Sequence, residues 1–130
     1  MDLGAYQRSK TGILFAAAAM AGAAAAGAEC GAWRLLGERL GEAYQVADDI
    51  GDAVATGPED MGKPCGRDLA LGRPSAVAAY GVSGAVERLE CLAAEAVAAV
   101  PACRGAAELR SLIRSEAKRL MPASLARSAA

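Results

Sequence analysis

Leu40-Gly41-Glu42-Ala43-Tyr44-Gln45-Val46-Ala47-Asp48-Asp49-Ile50-Gly51-Asp52 is the stretch whose reading decides the fold. Extended in both directions, it places Trp33, Leu36, Leu40, Ala43, Tyr44, Ala47, Ile50 and Val54 at steps of three and four. That spacing is the apolar stripe of an α-helix, and it predicts one over residues 32–55. At about 100° per residue, Gln45, Asp48, Asp49 and Asp52 share an arc of roughly 100° on another side. Like charges three and four residues apart repel one another. Two readings follow. A hard divalent cation would remove the repulsion, and magnesium takes one or two carboxylates together with phosphate oxygens and water. Alternatively the arc, continued by Glu38 and Glu42, is the solvated acidic face of an amphipathic helix.

Helical spacing recurs outside this stretch, and apolar residues nowhere alternate with polar ones over a useful length, so the fold class is all-α. A first helix is expected over residues 3–28, interrupted near Gly12 or Gly22, since interior glycine costs about 1 kcal/mol relative to alanine. Pro58, Gly62, Pro64, Gly66, Gly72 and Pro74 punctuate a loop over residues 57–74. A short helix from Ser75 to Tyr80 is expected to end at Gly81. Another covers residues 83–100, with Ser83 as its N-cap, Pro101 beyond its end, and Val86, Leu89, Ala93, Ala96, Val97 and Val100 facing inward. The last spans residues 106–121 on Leu109, Leu112, Ile113, Glu116 and Leu120, and the tail at 122–130 is expected to fray.

The run from Ile13 to Ala28 follows Arg8 and Lys10 and ends in Ala26-Gly27-Ala28, which resembles an export signal. It is nevertheless short for a membrane span and made mostly of alanine and glycine. Small residues at that density suit a buried helix packed closely against a neighbour. The chain has 130 residues, the size of one domain, and a formal net charge of −1, which argues against nucleic-acid binding. It contains no histidine, which excludes imidazole metal sites and Ser-His-Asp triads. Cys30, Cys65, Cys91 and Cys103 form no C-x-x-C pair and read as reduced thiols of a cytoplasmic protein.

What favours the metal reading is the company the aspartates keep. Lys10-Thr11-Gly12 opens the first helical run, Gln45 stands one turn before Asp48, and Gly62-Lys63-Pro64-Cys65-Gly66-Arg67-Asp68 and Gly72-Arg73-Pro74 follow. Diphosphate chemistry needs carboxylates to hold metal and cations to neutralise the remaining charge. There is no P-loop string. In this order, Lys10-Thr11-Gly12-Ile13-Leu14-Phe15, the Leu40 to Asp52 stretch, Met61-Gly62-Lys63, Gly66-Arg67-Asp68 and Gly72-Arg73-Pro74-Ser75 resemble the trans-isoprenyl diphosphate synthase family. The likeness is strongest to bacterial geranylgeranyl diphosphate synthases and runs from Lys10 to Leu120.

The resemblance implies a helical bundle like the C-terminal half of the isoprenoid synthase fold, with residues 1–130 forming one partial domain. It implies magnesium as cofactor, held at Asp48, Asp49 and Asp52: Asp48 ligates the ion that bridges to an allylic diphosphate, and Asp49 and Asp52 support it, partly through water. Lys10 and Lys63 match lysines that contact the diphosphate, and Arg73 stands where the family has a basic residue. Thr11 and Gln45 match positions lining the reaction centre, where their oxygens stabilise an allylic cation. Tyr44 and Gly51 depart from a usual phenylalanine and a usual aliphatic residue.

The reaction implied joins an allylic diphosphate to isopentenyl diphosphate. The family also carries a first aspartate-rich motif upstream of the Lys-Thr pair, and no second D-D-x-x-D string occurs here. The chain therefore reads as a truncated C-terminal portion, inactive by itself. The alternatives are a non-catalytic subunit or remnant that packs against a complete synthase, a homodimer partner, or an exported helical protein.

Overall fold

The computed structural model describes residues 2–54 and 75–122. In chain order these form α1 (Leu3–Gln7), a π-helical turn (Arg8–Gly12), α2 (Ile13–Ala25), a 3-10 turn (Gly31–Trp33), α3 (Arg34–Val54), α4 (Ala76–Ala99) and α5 (Ala106–Leu120). No strand occurs among the described residues, so the all-α expectation holds. The expected loop at 57–74 lies outside them, as does the expected tail beyond Pro122. No helix among the described residues is long and apolar enough to cross a membrane.

Helix α3 is the centre of the bundle. Its entry is fixed by Glu29, whose carboxylate accepts hydrogen bonds from the backbone N–H groups of Gly31 (2.7 Å) and Ala32 (2.9 Å). This satisfies donors that have no partner within the helix. Ala43, Val46, Ala47 and Ile50 of α3 pack against Ala76, Ala85, Leu89 and Leu92 of α4. A second cluster joins Leu36 of α3 to Ala96 and Val100 at the end of α4 and to Ala106 and Ile113 of α5. The core is built largely from small side chains, so helix approach has to be close for burial to stabilise it.

Helix α2 achieves that closeness against α3. A β-carbon on Gly37 would fall 2.5 Å from Cα of Ala16 and 2.6 Å from the carbonyl oxygen of Phe15. One on Gly41 would fall 2.7 Å from Cα of Gly12. Gly37 and Gly41 are four apart, as are Gly12 and Ala16, so the two helices touch backbone to backbone along matching rows. The close packing expected of the alanine run is present, but the expected burial of the helix needs correction. Within α2 only Ala16 and Ala23 are buried, and Ile13 and Leu14 are 67% and 72% exposed. One seam of small residues is covered, and the rest of the helix surface is open.

The break expected at Gly12 is a widened π turn rather than an end. The break expected at Gly81 is present: its φ of 73° and ψ of 172° lie where only glycine is at ease, and α4 bends there. Ser83 lies inside α4, and the capping serine is Ser75, whose Oγ accepts from the backbone N–H of Val77 at 3.2 Å. Leu112, expected to face inward, is 57% exposed.

Candidate functional site

The acidic arc of α3 is graded rather than uniform. Taking Asp48 as zero, Asp52 lies about 40° around the helix, Gln45 about 60° and Asp49 about 100°. Exposure follows that order: Asp48 is exposed, Asp52 half-buried, and Gln45 and Asp49 buried. The solvated-face alternative therefore fails for part of the arc. It fails again at Glu42, which is fully buried. The Glu42 carboxylate accepts from Arg39 Nη1 and from Arg88 Nη2 of α4, each at 3.1 Å, and Arg39 Nε in turn meets Glu95 at 2.7 Å. Satisfied on both oxygens, that charge ties α3 to α4.

Above the Gly12–Gly41 contact, the π turn carries Lys10 and Thr11. The extra residue in a π turn rotates the side chains that follow it, a device common at functional sites. Here it turns Thr11 toward α3. Thr11 Oγ1 donates to Gln45 Oε1 at 3.1 Å, and Gln45 Nε2 donates to Asp49 Oδ1 at 3.1 Å. The other Asp49 oxygen, Oδ2, accepts from the backbone N–H of Ala76 at 2.9 Å, at the first turn of α4. Thus Thr11, Gln45, Asp49 and the start of α4 form one continuous chain of hydrogen bonds. Lys10 is exposed, with its Nζ 5.7 Å from the centre of the Tyr6 ring, within cation–π range.

The structure thus brings together Thr11, Gln45 and Asp49, and it sets Asp48 and Asp52 on the adjoining, more open side of α3. Among the described residues, no three carboxylates or thiols stand close enough together to hold a metal ion. Lys63 and Arg73 lie outside the described residues. Missed in the sequence were the bond from Asp49 to Ala76 and the Glu42 pair with Arg88. Ser75, next to Pro74 at the head of an apolar-periodic segment, did carry a cap signal. The Glu42–Arg88 pair had none, since the two residues belong to different helices.

On the other flank of α3, a cleft of about 320 Å³ is lined by Phe15, Tyr44, Leu89, Leu112 and Ile113, with Glu116 and Arg119 on its wall. The Phe15 and Tyr44 rings meet there at 5.7 Å, tilted by 35°. Arg119 donates to Glu116 at 2.6 and 3.0 Å, and this bond holds the Glu116 carboxyl below the usual glutamate range.

The described residues form an all-α bundle that sets the Lys10-Thr11 turn against Gln45 and the aspartate-rich helix α3. The Polyprenyl synthetase family model matches residues 2–108, and the chain belongs to that family. It is 48% identical over 126 residues to a geranylgeranyl diphosphate synthase of Cereibacter sphaeroides, an alignment covering 97% of this chain and 43% of that protein. It is 46% identical over 129 residues to the geranylgeranyl diphosphate synthase of Rhodobacter capsulatus, covering 98% and 44% respectively. A more distant relative, heptaprenyl diphosphate synthase component 2 of Geobacillus stearothermophilus, is 37% identical over 109 residues, covering 82% of this chain and 32% of that protein. The chain spans less than half the length of these relatives. No solved structure matches it.

Proposed function

We propose that this chain carries the second half of the diphosphate site of a geranylgeranyl diphosphate synthase-type prenyltransferase. The observation that carries the proposal is the Thr11–Gln45–Asp49 hydrogen-bond chain, with Asp48 and Asp52 on the neighbouring open side of the same helix. Asp48 and Asp52, one turn apart, suit magnesium, which takes one or two carboxylates and leaves its other positions to phosphate oxygens and water. When bound, the ion supplies charge neutralisation for a diphosphate leaving group. The chain's own residues do the rest. Lys10, with Lys63 and Arg73, compensates phosphate charge. Thr11 and Gln45 present oxygen atoms toward a developing allylic cation, an electrostatic stabilisation that needs no side chain titrating near neutrality. The substrates on this reading are an allylic diphosphate and isopentenyl diphosphate, and the setting is the cytoplasm.

Magnesium-dependent binding of inorganic diphosphate, followed by calorimetric titration, tests the reading. Binding that needs the metal and is lost in Asp48→Asn supports it; heat of mixing unchanged by Asp48→Asn counts against it. Transfer of label from isopentenyl diphosphate to an allylic primer separates a complete catalyst from half a site. We expect no transfer by the chain alone, because it has one aspartate-rich motif. A second reading, a non-catalytic subunit packing on a complete synthase, is favoured by the open apolar surface of α2 at Ile13 and Leu14. Co-purification with such a synthase supports it, and a monomer that ignores the synthase removes it.

A further inference from the structure

We propose that the exposed basic flank of α5 docks on an anionic lipid surface. Residues 1–100 contain eight basic and thirteen acidic side chains, a formal −5, whereas residues 101–130 contain six basic and two acidic, a formal +4. The overall charge of −1 therefore hides two parts of opposite sign, an asymmetry that goes with binding to a charged surface. Helix α5 gathers the basic part into a stripe. With Arg110 at zero, Arg114 lies about 40° around the helix, Ala107 about 60°, Lys118 about 80° and Ser111 about 100°. Glu108 and Glu116, at about 160° and 240°, stay outside that arc. Ala106 and Ile113, at about 320° and 300°, are buried against Leu36 of α3 and the end of α4.

Arg114 and Lys118 are exposed, and among the described residues neither has an ion-pair partner. Arg110 is half-buried, with one Nη donating to the Val100 carbonyl at 3.4 Å. Arg104, exposed in the turn before α5, adds a fourth cation. Like charges four residues apart repel and weaken a helix slightly, and an anionic surface relieves that repulsion. The stripe spans about 12 Å, and the other members of its arc are the exposed Ala107 and Ser111. A protein partner is held by bulky apolar or aromatic anchors, and a single nucleic-acid strand by aromatic platforms between the cations. This flank has neither. A bilayer needs neither, because its headgroups present negative charge as a continuous plane and strengthen binding about fivefold for each Lys or Arg near them. Since α3 and α4 occupy the apolar side of α5, the helix rests on the headgroups and does not sink between the acyl chains as a free amphipathic helix does.

Co-sedimentation of the full chain with lipid vesicles tests this. Expected is binding to phosphatidylglycerol vesicles in low salt that is absent on phosphatidylcholine and weakens as salt shortens the screening length. Arg114→Gln should weaken it about fivefold, and Arg114→Gln combined with Lys118→Gln about 25-fold. Arg114→Lys keeps the charge and should leave binding nearly unchanged. Arg34→Gln is the control: it removes an exposed cation from the start of α3 and should change binding little. Far-ultraviolet circular dichroism establishes that each variant is folded. No binding to phosphatidylglycerol, equal binding to both lipids, or an equal loss in Arg34→Gln and Arg114→Gln would overturn the proposal. So would a duplex oligonucleotide that binds more tightly than the vesicles and loses affinity in the same variants, which would assign the flank to nucleic acid. A dimer of the chain that the double variant dissolves would likewise overturn it and assign the flank to a second copy.

Discussion

Replacing Gly41 with alanine should destabilise the protein, while the same replacement at Gly51 of the same helix should stabilise it. Both glycines lie inside α3, and by intrinsic helix propensity each change favours the folded chain by about 1 kcal/mol. At Gly51 a β-carbon meets nothing within 4 Å among the described residues, so that gain is kept. At Gly41 it falls 2.7 Å from Cα of Gly12, 3.1 Å from its nitrogen and 3.3 Å from Cβ of Phe15. Two of these atoms are backbone and cannot rotate away. Restoring ordinary carbon contact, near 3.5–4.0 Å, requires α2 to retreat from α3 by roughly 1 Å. Overpacking of this kind costs about 1–3 kcal/mol. The retreat also stretches the Thr11–Gln45 bond from 3.1 Å beyond hydrogen-bonding range, a further loss of about 1 kcal/mol. Set against the propensity gain, the net for Gly41→Ala is a loss of about 1–3 kcal/mol. Urea unfolding followed by far-ultraviolet circular dichroism measures both variants. A Gly41→Ala protein as stable as Gly51→Ala would refute the backbone-to-backbone seam.

Gly37→Ala should cost more than Gly41→Ala, because its β-carbon meets Ala16 Cα, the Phe15 carbonyl and Ala16 nitrogen, all within 2.8 Å; denaturant midpoints rank the two. Glu42→Ala should lower stability by about 2 kcal/mol, less than the full cost of breaking a buried pair, because Arg39 keeps its ion pair with Glu95 and the Arg88 side chain is 38% exposed. Arg88→Ala combined with Glu42→Ala should cost less than the sum of the single changes, which a double-mutant cycle reads. Glu116 should titrate below an ordinary glutamate because of its hydrogen bonds from Arg119, and Arg119→Ala should return it to the usual range by carbon-detected NMR. Since the folded value is the lower one, the small stabilisation is present above the unfolded value and is lost as pH falls through the folded one.

The helical class, the central helix and the breaks at Gly12 and Gly81 were legible because periodicity and glycine act locally. The aspartate-rich arc was legible as an arc, but its grading was not. Periodicity places Asp48 and Asp49 side by side; only the packing of α4 against α3 decides that one faces out and the other serves the Ala76 N–H. Glu42 misled for the same reason. On sequence it continued an acidic face, whereas Arg88, reaching across from α4, lets it be fully buried. The alanine run misled in the opposite sense. Its small residues did signal close approach, yet only one seam of α2 is covered, and Ile13 and Leu14 stay open. Tyr44, placed in the apolar stripe, is 48% exposed at the edge of the cleft shared with Phe15.

The most direct test of the central claim is phosphorus NMR of inorganic diphosphate titrated with the chain, with and without magnesium. The account predicts broadening that requires magnesium and disappears in Asp48→Asn. Broadening indifferent to magnesium, or retained in full by Asp48→Asn, would contradict it.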